Sequence, residues 1–392
     1  MPEAYIVAAA RTAGGRRNGR LSGWHPADLA AQVLNALIER TDIDPALVED
    51  VIMGCVGQVG EQASNIARNA VLASRLPESV PATSVDRQCG SSQQALHFAA
   101  QAVMSGSMDI AIAAGVESMT RVPMGTPSTL ALKNGLGFYV SPQMQKRYPD
   151  IQFSQFTGAE MIAKNYGIEK SELDVYALRS HHNAIAATRA GLFDKEIVPV
   201  VARMNDGTEP GDMHTADEGI RYDATLESIA GVKLIAEGGR CTAATVSQIC
   251  DGASGVMVVN ERGLKALGVK PLACIHHMSV MGHDPVIMLE APLPATQRAL
   301  QRAGMKIDDI DLYEVNEAFA PVPLAWLQAL GADPDRLNVN GGAIALGHPL
   351  GASGTKLMTT LIHALGQRNK RYGLQTMCEG GGMANVTIIE RL

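Results

Sequence analysis

Residues 85–92 read Val85-Asp86-Arg87-Gln88-Cys89-Gly90-Ser91-Ser92, and an amphipathic stretch from Gln93 to Met104 follows directly. This order predicts that the thiol of Cys89 stands at the start of a helix. Unpaired backbone N–H groups and the positive end of the helix dipole meet there, and both favour thiolate over the free-cysteine pKa of about 8.5. Most single cysteines are small buried hydrophobes. A reactive role for this one therefore needs partner groups elsewhere.

Two glycine-rich segments near the other end of the chain provide such partners. Residues 338–351 place four glycines and a proline around His348, which is too many breakers for an ordinary helix or strand. Residues 377–383 put Cys378 just before three glycines, whose N–H groups can stabilise an oxyanion. A thiol nucleophile, an imidazole base and a second thiol that carries a proton suit acyl transfer through a thioester.

Length and charge exclude several classes of protein. The 392 residues are enough for two or three domains, and an apolar fraction of 46% can fill large buried cores. A net charge of −7 and a pI near 5.8 argue against nucleic acid as the main partner. The first apolar stretch, Ile6 to Ala10, lacks a basic segment before it and is too short for a signal peptide or a membrane span. We therefore expect a cytoplasmic protein with no membrane partner.

Cysteine and histidine spacing predicts neither disulfides nor a metal site. The six cysteines have no paired spacing and no Cys-x-x-Cys motif. Adjacent histidines at 181–182 and 276–277 point in different directions, and no carboxylate spacing supports a metal site there. The cysteines outside the two motifs are expected to be packing residues: Cys55, Cys241, Cys250 and Cys274.

The chain predicts an α/β fold built from two similar halves. The first half has strands at Tyr5 to Ala9, Val51 to Cys55 and Asp109 to Ala113, and helices at Ala27 to Arg40 and after Cys89. The second has strands at Leu272 to Val280, Leu312 to Val315 and Gly373 to Cys378, and helices at Pro294 to Ala303 and Ser353 to Leu365. The strands are short, apolar and nearly unalternating, so both sheets should be buried between helical layers.

Between the halves, residues 119–240 differ in kind. They are richer in polar residues, are interrupted by glycine and proline, and contain two helical patterns outside any sheet pattern, Gly158 to Tyr166 and Lys170 to Ala190. The chain then returns to the first half with a valine-rich strand at Gly255 to Asn260. Domain boundaries are accordingly expected at 1–118 with 241–270, at 119–240, and at 271–392.

Four motifs, in order, resemble those of the thiolase family. They are Asp86-Arg87-Gln88-Cys89-Gly90-Ser91, Asn316-Glu317-Ala318-Phe319-Ala320, Asn340-Gly341-Gly342-Ala343-Ile344-Ala345-Leu346-Gly347-His348-Pro349 and Cys378-Glu379-Gly380-Gly381-Gly382. The resemblance runs from Arg11 to the last strand, Asn385 to Glu390. It implies the thiolase fold: two duplicated βαβ halves in an αβαβα arrangement, with residues 119–240 inserted as a loop domain that covers coenzyme A.

The resemblance also implies a role for each motif residue in cleaving a 3-ketoacyl-CoA. Cys89 takes the acyl group as a thioester, in ping-pong order, and His348 holds it as thiolate and donates to the thioester oxygen. Cys378 exchanges a proton with the α-carbon of acetyl-CoA or with coenzyme A. Asn316 fixes a water in one oxyanion site, and the N–H groups of Cys89 and Gly380 form the other.

Coenzyme A is expected as a substrate, with no metal and no permanently bound cofactor. Ser247, Ala318 and Phe319 fall where thiolases hold this molecule, and Arg221 does so after a short alignment gap. By resemblance alone, we expect a homodimer or homotetramer.

Two departures from the acetoacetyl-specific pattern point to degradation. Residues 153–158 lack the His-Met pair that closes the acyl pocket in biosynthetic members, and Ala291-Pro292-Leu293-Pro294 replaces the usual Gly-Pro-Val-Pro. We therefore expect thiolysis of a medium, branched or ring-derived 3-ketoacyl-CoA. The alternatives are a biosynthetic acetoacetyl-CoA-forming thiolase, a ketosynthase-like condensing enzyme, and a non-catalytic acyl-CoA or lipid carrier of the same fold.

Overall fold

Two long strands, Ile110–Ser118 and Cys250–Val259, are buried along their whole length. A computed structural model of the protein describes residues 3–392. The two strands pair antiparallel from Ile110 with Val259 to Ser118 with Asp251. Because both faces of the sheet are covered by other layers of the protein, these strands need no alternation of apolar and polar residues, which explains the apolar runs in the sequence.

Helices and strands alternate along the chain. The strands are β1 (Tyr5–Arg11), β2 (Gly15–Arg16), β3 (Asp50–Gly54), β4 (Ala82–Val85), β5 (Ile110–Ser118), β6 (Val200–Val201), β7 (Met213–His214), β8 (Cys250–Val259), β9 (Ala273–Gly282), β10 (Leu312–Val315), β11 (Tyr372–Glu379) and β12 (Met383–Arg391). The helices are α1 (Pro26–Thr41), α2 (Ile66–Ala73), α3 (Ser91–Ser105), α4 (Thr126–Lys133), α5 (Pro142–Arg147), α6 (Gln155–Asn165), α7 (Lys170–Arg189), α8 (Leu226–Ala230), α9 (Glu261–Leu267), α10 (Pro292–Ala303), α11 (Pro321–Leu330), α12 (Ala343–Leu346) and α13 (Ser353–Gln367).

The two halves repeat one sheet topology. In the first, β1, β8 and β5 are antiparallel neighbours, and β3 and β4 continue in parallel. In the second, β9, β12 and β11 are antiparallel neighbours, β10 continues in parallel, and a parallel bridge from Tyr313 to Leu337 takes the fifth place. The matching order and direction support the duplication that the sequence predicted.

Helices cover and separate the two half-sheets. Helices α1 and α2 pack on the outer face of the first, and α10 and α11 on the outer face of the second. Helices α3 and α13 lie between the half-sheets and contact each other. The resulting αβαβα order is the fold class that the sequence predicted.

Three differences from the sequence-based prediction concern the central sheet and the segment that carries His348. The expected two sheets are joined, because β1 and β9 pair at Tyr5 with Cys274 and at Ile6 with Ala273. Strand β5 extends five residues beyond its predicted end, and β8 begins five residues earlier than predicted; their polar ends pair with each other and so complete the ladder. The glycine-rich segment around His348 holds a single helical turn, α12, where no helix was expected.

The inserted stretch 119–240 contains α4 to α8 and a separate two-stranded sheet of β6 and β7. Its helices α6 and α7 pack against the second half, beside α11 and α12. Within residues 3–392, no helix combines the length and apolar character needed to cross a bilayer.

Helices α3 and α13 cross at Gly354. A Cβ at this position would lie 2.0 Å from the backbone nitrogen of Gln93 and 2.7 Å from its Cα. Because these are backbone atoms, no side-chain rotation can relieve the contact. Only glycine permits this crossing, which lies close to the start of both helices.

We expect Gly354→Ala to destabilise the protein by about 1–3 kcal/mol, because the added methyl group forces α3 and α13 apart. Urea unfolding followed by circular dichroism measures the change. Gly366→Ala in the same helix is the matched control, since a Cβ there meets nothing within 4 Å. It should be neutral or stabilising by up to ~1 kcal/mol, because alanine has the higher helix propensity. Equal stability of the two variants would contradict the close crossing.

Candidate active site

Cys89 lies in a hydrogen-bonded turn between β4 and α3. The Oγ of Ser91 accepts from the Arg87 N–H at 2.9 Å and donates to the Gln88 carbonyl at 2.6 Å. The Gln88 backbone is left-handed, with φ of 49°. The turn holds a strained residue in place just before the thiol, and the helix begins two residues after the thiol.

Hydrogen bonds determine which nitrogen of the His348 imidazole carries the proton. The single hydroxyl hydrogen of Ser353 goes to the Pro349 carbonyl at 2.8 Å, so its Oγ accepts from the Nδ1–H of His348. The lone pair of Nε2 then faces the amide nitrogen of Asn316 at 3.3 Å. Burial lowers the pKa of His348 to about 3, so the ring is neutral and Nε2 can accept a proton.

A cleft of about 450 Å³ reaches this imidazole from the surface. Cys89 is 8% exposed and packs against Met119 and Leu350, which line the cleft. The other lining residues include Arg16, Arg17, Met124, Gln155, Phe156, Val246, Ser247, Gln248, Ala318, Phe319 and His348. The predicted ligand contacts Ser247, Ala318 and Phe319 are therefore together.

Arg221 lies outside that cleft. It lines an adjoining cleft of about 610 Å³, which shares Arg16 and Gln248 with the first. Its backbone N–H donates to His181 Nδ1 at 3.3 Å. Arg221 is thus one cleft away from the other predicted ligand contacts.

Cys378 and Gly380 meet the Cys89 turn from the end of β11. Burial raises the pKa of the Cys378 thiol well above its usual value, and the neighbouring Cys89 adds to the rise. A Cβ on Gly380 would lie 2.9 Å from Gln88 Oε1, so the two turns touch. Among residues 3–392, neither the Cys89 N–H nor the Gly380 N–H has a backbone acceptor.

Asn316 follows β10 and is 1% exposed. Its N–H donates to the Thr376 carbonyl at 3.1 Å, which ties it to β11. Its side-chain Oδ1 has no hydrogen-bond partner within residues 3–392. A buried amide oxygen without a partner is costly, so it suits a bound water or a ligand group.

The expectation of a low pKa for Cys89 is wrong. Burial raises the pKa of this thiol to about 12, and the Glu379 carboxyl adds to the rise. Removal of the thiol from water outweighs the N–H groups at the helix start. The resting thiol is protonated, and it requires a base such as Nε2 of His348 to become a nucleophile.

Two buried carboxylates to which the sequence assigned no catalytic role hold the loops of the candidate active site. Glu117 accepts from Gly351 N at 2.8 Å and from Val56 N and Gly57 N at 2.9 Å each. Glu317 accepts from Ile344 N at 3.0 Å, and also from the side chains of Tyr176, Ser180 and Asn338. The sequence signal for Glu317 is its position next to Asn316 in one of the four motifs, and Glu117 has no such signal.

Glu379 is the carboxyl group with the largest effect on the pKa of Cys89. Its Oε1 lies 2.0 Å from where a Cβ of Gly90 would stand, and neither oxygen has a hydrogen-bond partner among residues 3–392. Burial raises the pKa of Glu379 to about 8, against the opposing effect of the Arg87 guanidinium. The group is neutral at pH 7 and becomes a carboxylate above pH 8.

We expect Glu379→Gln to speed alkylation of Cys89 by iodoacetamide at pH 9, because the variant removes a negative charge that opposes the thiolate. Each unit by which the Cys89 pKa falls is worth about tenfold in thiolate population. Below pH 7 the two proteins should react alike, since Glu379 is then protonated. Peptide mapping of the labelled Cys89 measures the rate, and Glu227→Gln on the surface is the control. Identical rates at pH 9 would refute the coupling.

Comparison with known proteins identifies the family. The family model described as "Thiolase, N-terminal domain" matches residues 4–262, and "Thiolase, C-terminal domain" matches residues 269–391. The chain is 52% identical over 397 residues to the steroid 3-ketoacyl-CoA thiolase FadA6 of Mycobacterium tuberculosis, covering 100% of this chain and 95% of that protein. It is 41% and 42% identical to the 3-ketoacyl-CoA thiolases of Serratia proteamaculans and Yersinia pestis, each over 399 residues and the full length of both chains. The protein belongs to the thiolase family.

Proposed function

We propose that this thiolase catalyses the coenzyme A-dependent cleavage of a 3-ketoacyl-CoA to acetyl-CoA, or another short acyl-CoA, and a shortened acyl-CoA. The observation that carries this proposal is the convergence of three distant segments on one cleft. His348 lines the cleft, Cys89 packs against Met119 and Leu350 of its lining, and Cys378 is close enough to Cys89 for the two thiols to influence each other. These groups are what acyl transfer through a thioester requires.

In the first half-reaction, Nε2 of His348 takes the proton of the Cys89 thiol, and the sulfur attacks the 3-keto carbon. The C2–C3 bond breaks, and its electron pair remains on the acetyl-CoA fragment. The thiol of Cys378 donates its proton to that carbon, which releases acetyl-CoA and leaves the remaining acyl group on Cys89. Protonated His348 donates to the oxygen that becomes negative.

In the second half-reaction, the Cys378 thiolate takes the proton from the thiol of coenzyme A. The resulting sulfur nucleophile attacks the thioester, and the shortened acyl-CoA leaves as the Cys89 thiolate forms and regains its proton. A water on the unpartnered oxygen of Asn316 supports one oxyanion site. The free N–H groups of Cys89 and Gly380 supply the other, and the order is ping-pong.

Coenzyme A enters as a substrate, and we propose no permanently bound cofactor. Ser247, Ala318 and Phe319 line the cleft and suit the pantetheine arm. Arg221 lines the adjoining cleft, where it can reach the nucleotide end. We further propose that residues 119–240 cover this ligand between a first half of 1–118 with 241–270 and a second half of 271–392.

The rim of the cleft supports a degradative substrate. Gln155 and Phe156 line it where biosynthetic members are expected to carry their His-Met pair, and Phe156 packs edge to face on Phe319 at 5.3 Å between ring centres. We propose a medium, branched or ring-derived 3-ketoacyl-CoA as the substrate. A cytoplasmic location and a homodimer or homotetramer stay predictions.

We expect Cys89→Ala to form no acyl-enzyme, because it lacks the nucleophile. Cys378→Ala keeps the nucleophile, so it should still become acylated, but slowly, and turn over at least about 100-fold more slowly, since the proton carrier of both half-reactions is missing. Intact-protein mass spectrometry after mixing with a 3-ketoacyl-CoA measures acylation. Cys274→Ala, in a buried cysteine outside the cleft, is the control. Equal acylation of Cys89→Ala and the wild type would overturn the nucleophile assignment.

A series of 3-ketoacyl-CoAs that differ in length and branching should show a preference for chains longer than acetoacetyl-CoA. The apolar pocket distinguishes each methylene by about 1–3 kcal/mol in kcat/KM. Loss of 3-ketoacyl-CoA absorbance that depends on free coenzyme A measures the rate. A preference for acetoacetyl-CoA would favour the biosynthetic alternative, and binding without turnover would favour a carrier.

A further inference from the structure

Lys356 is a buried cation at the base of the His348 loop. It stands in the first turn of α13, is 4% exposed, and points its ammonium group at the segment that precedes the imidazole. The Nζ donates to the Leu346 carbonyl at 2.5 Å and to the Gly347 carbonyl at 3.1 Å. Leu346 ends α12 and Gly347 is bonded to His348, so the contact reaches the backbone directly before the base.

The backbone at Gly347 is closely packed and has little room to move, independently of its contact with Lys356. Its φ of 78° belongs to the left-handed region, and a Cβ there would lie 2.7 Å from Cys250 Sγ. The peptide therefore lies against the neighbouring strand β8 with its carbonyl turned toward the ammonium group. Loss of the ammonium would leave two buried carbonyl oxygens without their donor.

A balanced group of buried charges holds Lys356 in turn. Its Nζ is 3.8 Å from Asp217 Oδ1, and Asp217 binds the guanidinium of Arg11 at 2.8 Å. The same guanidinium binds Glu196 at 2.6 Å, and Glu196 accepts from Thr360 one turn further along α13. Two cations and two carboxylates thus compensate each other in a buried region, as buried charges require.

We propose that Lys356 is a positioning residue of this active site, which fixes the His348 imidazole through the two carbonyls in front of it. The inference rests on the proposed function for the identity of the base. The ammonium group also acts through its charge, because after burial it is the group that lowers the pKa of His348. The side chains that face the imidazole most closely, Asn316 and Ser353, are neutral. The groups that face Lys356 itself are Cys250, Asp217, Arg11 and Glu196.

The test compares three variants at position 356 in the full-length enzyme. In Lys356→Met, kcat should fall on the order of 10- to 100-fold, as expected for a misplaced base, while KM for coenzyme A stays within about twofold. The acid limb of the pH profile of kcat/KM should move to higher pH. Loss of the nearby positive charge raises the pKa of the imidazole, which is then protonated at a higher pH. Lys356→Arg keeps the charge, so it should hold the acid limb and recover much of kcat. Lys370→Met on the surface is the control.

The outcomes separate positioning from mere stability. A folded Lys356→Met enzyme with wild-type kcat and acid limb would overturn the proposal, and so would a lower kcat with an unmoved limb that Lys356→Arg does not recover. Should Lys356→Met fail to fold, Lys356→Gln replaces it, since the amide can donate to the same carbonyls without a charge; an unmoved limb there refutes the electrostatic part.

Failure of the proposed function gives a different result. A wild-type protein that does not cleave 3-ketoacyl-CoAs would reject the thiolysis assignment. The role of Lys356 can then be tested by a second measurement. Alkylation of Cys89 by iodoacetamide, followed against pH, reports on the imidazole without any substrate. Equal alkylation profiles for wild type and the position 356 variants would then overturn the role of Lys356.

Discussion

The crossing of α3 and α13 at Gly354 is the contact on which the active site depends. Helix α3 carries Cys89 just before its first residue, and α13 begins at Ser353, which holds the His348 ring. These residues lie more than 250 positions apart in the chain and approach each other because Gly354 lets the helix backbones touch. Each helix belongs to one half of the duplicated fold. Close packing between equivalent helices therefore creates a site that neither half could form alone.

Buried charges hold the loops around that contact, and they act mainly on backbone atoms. Glu317 binds the Ile344 N–H, Lys356 binds the carbonyls of Leu346 and Gly347, and Glu117 binds the Gly351 N–H. The glycine-rich segment around His348 is thus held at three points along its length by side chains from other elements. Burying such groups is costly unless each is hydrogen-bonded or paired, and here each is. The glycines allow the backbone of this segment to bend, and the charged side chains bound to it determine which conformation it adopts.

Burial also determines the charge state of the reacting groups at rest. It raises the pKa of Cys89 and lowers that of His348, so both are neutral before a ligand enters. A proton transfer between a neutral thiol and a neutral imidazole brings no net charge into the dry interior. Within residues 3–392, the Asn316 oxygen has no partner and can hold a water, and the Cys89 and Gly380 N–H groups have no backbone acceptor and can donate to an oxygen that becomes negative during the reaction.

The sequence alone determined the α/β class, the duplicated halves and the three segments that carry Cys89, His348 and Cys378. Apolar runs and glycine clusters are local features of the sequence, so they can be recognised without knowing which segments pack together. It missed the link between β1 and β9, the full lengths of β5 and β8, and the pKa of Cys89, because each depends on which segment packs beside another. Glu117, Lys356 and Glu379 are ordinary charged residues in the sequence. Only the tertiary structure gives them a role, since desolvation and contacts with segments that are not adjacent in the chain decide what a buried charge does.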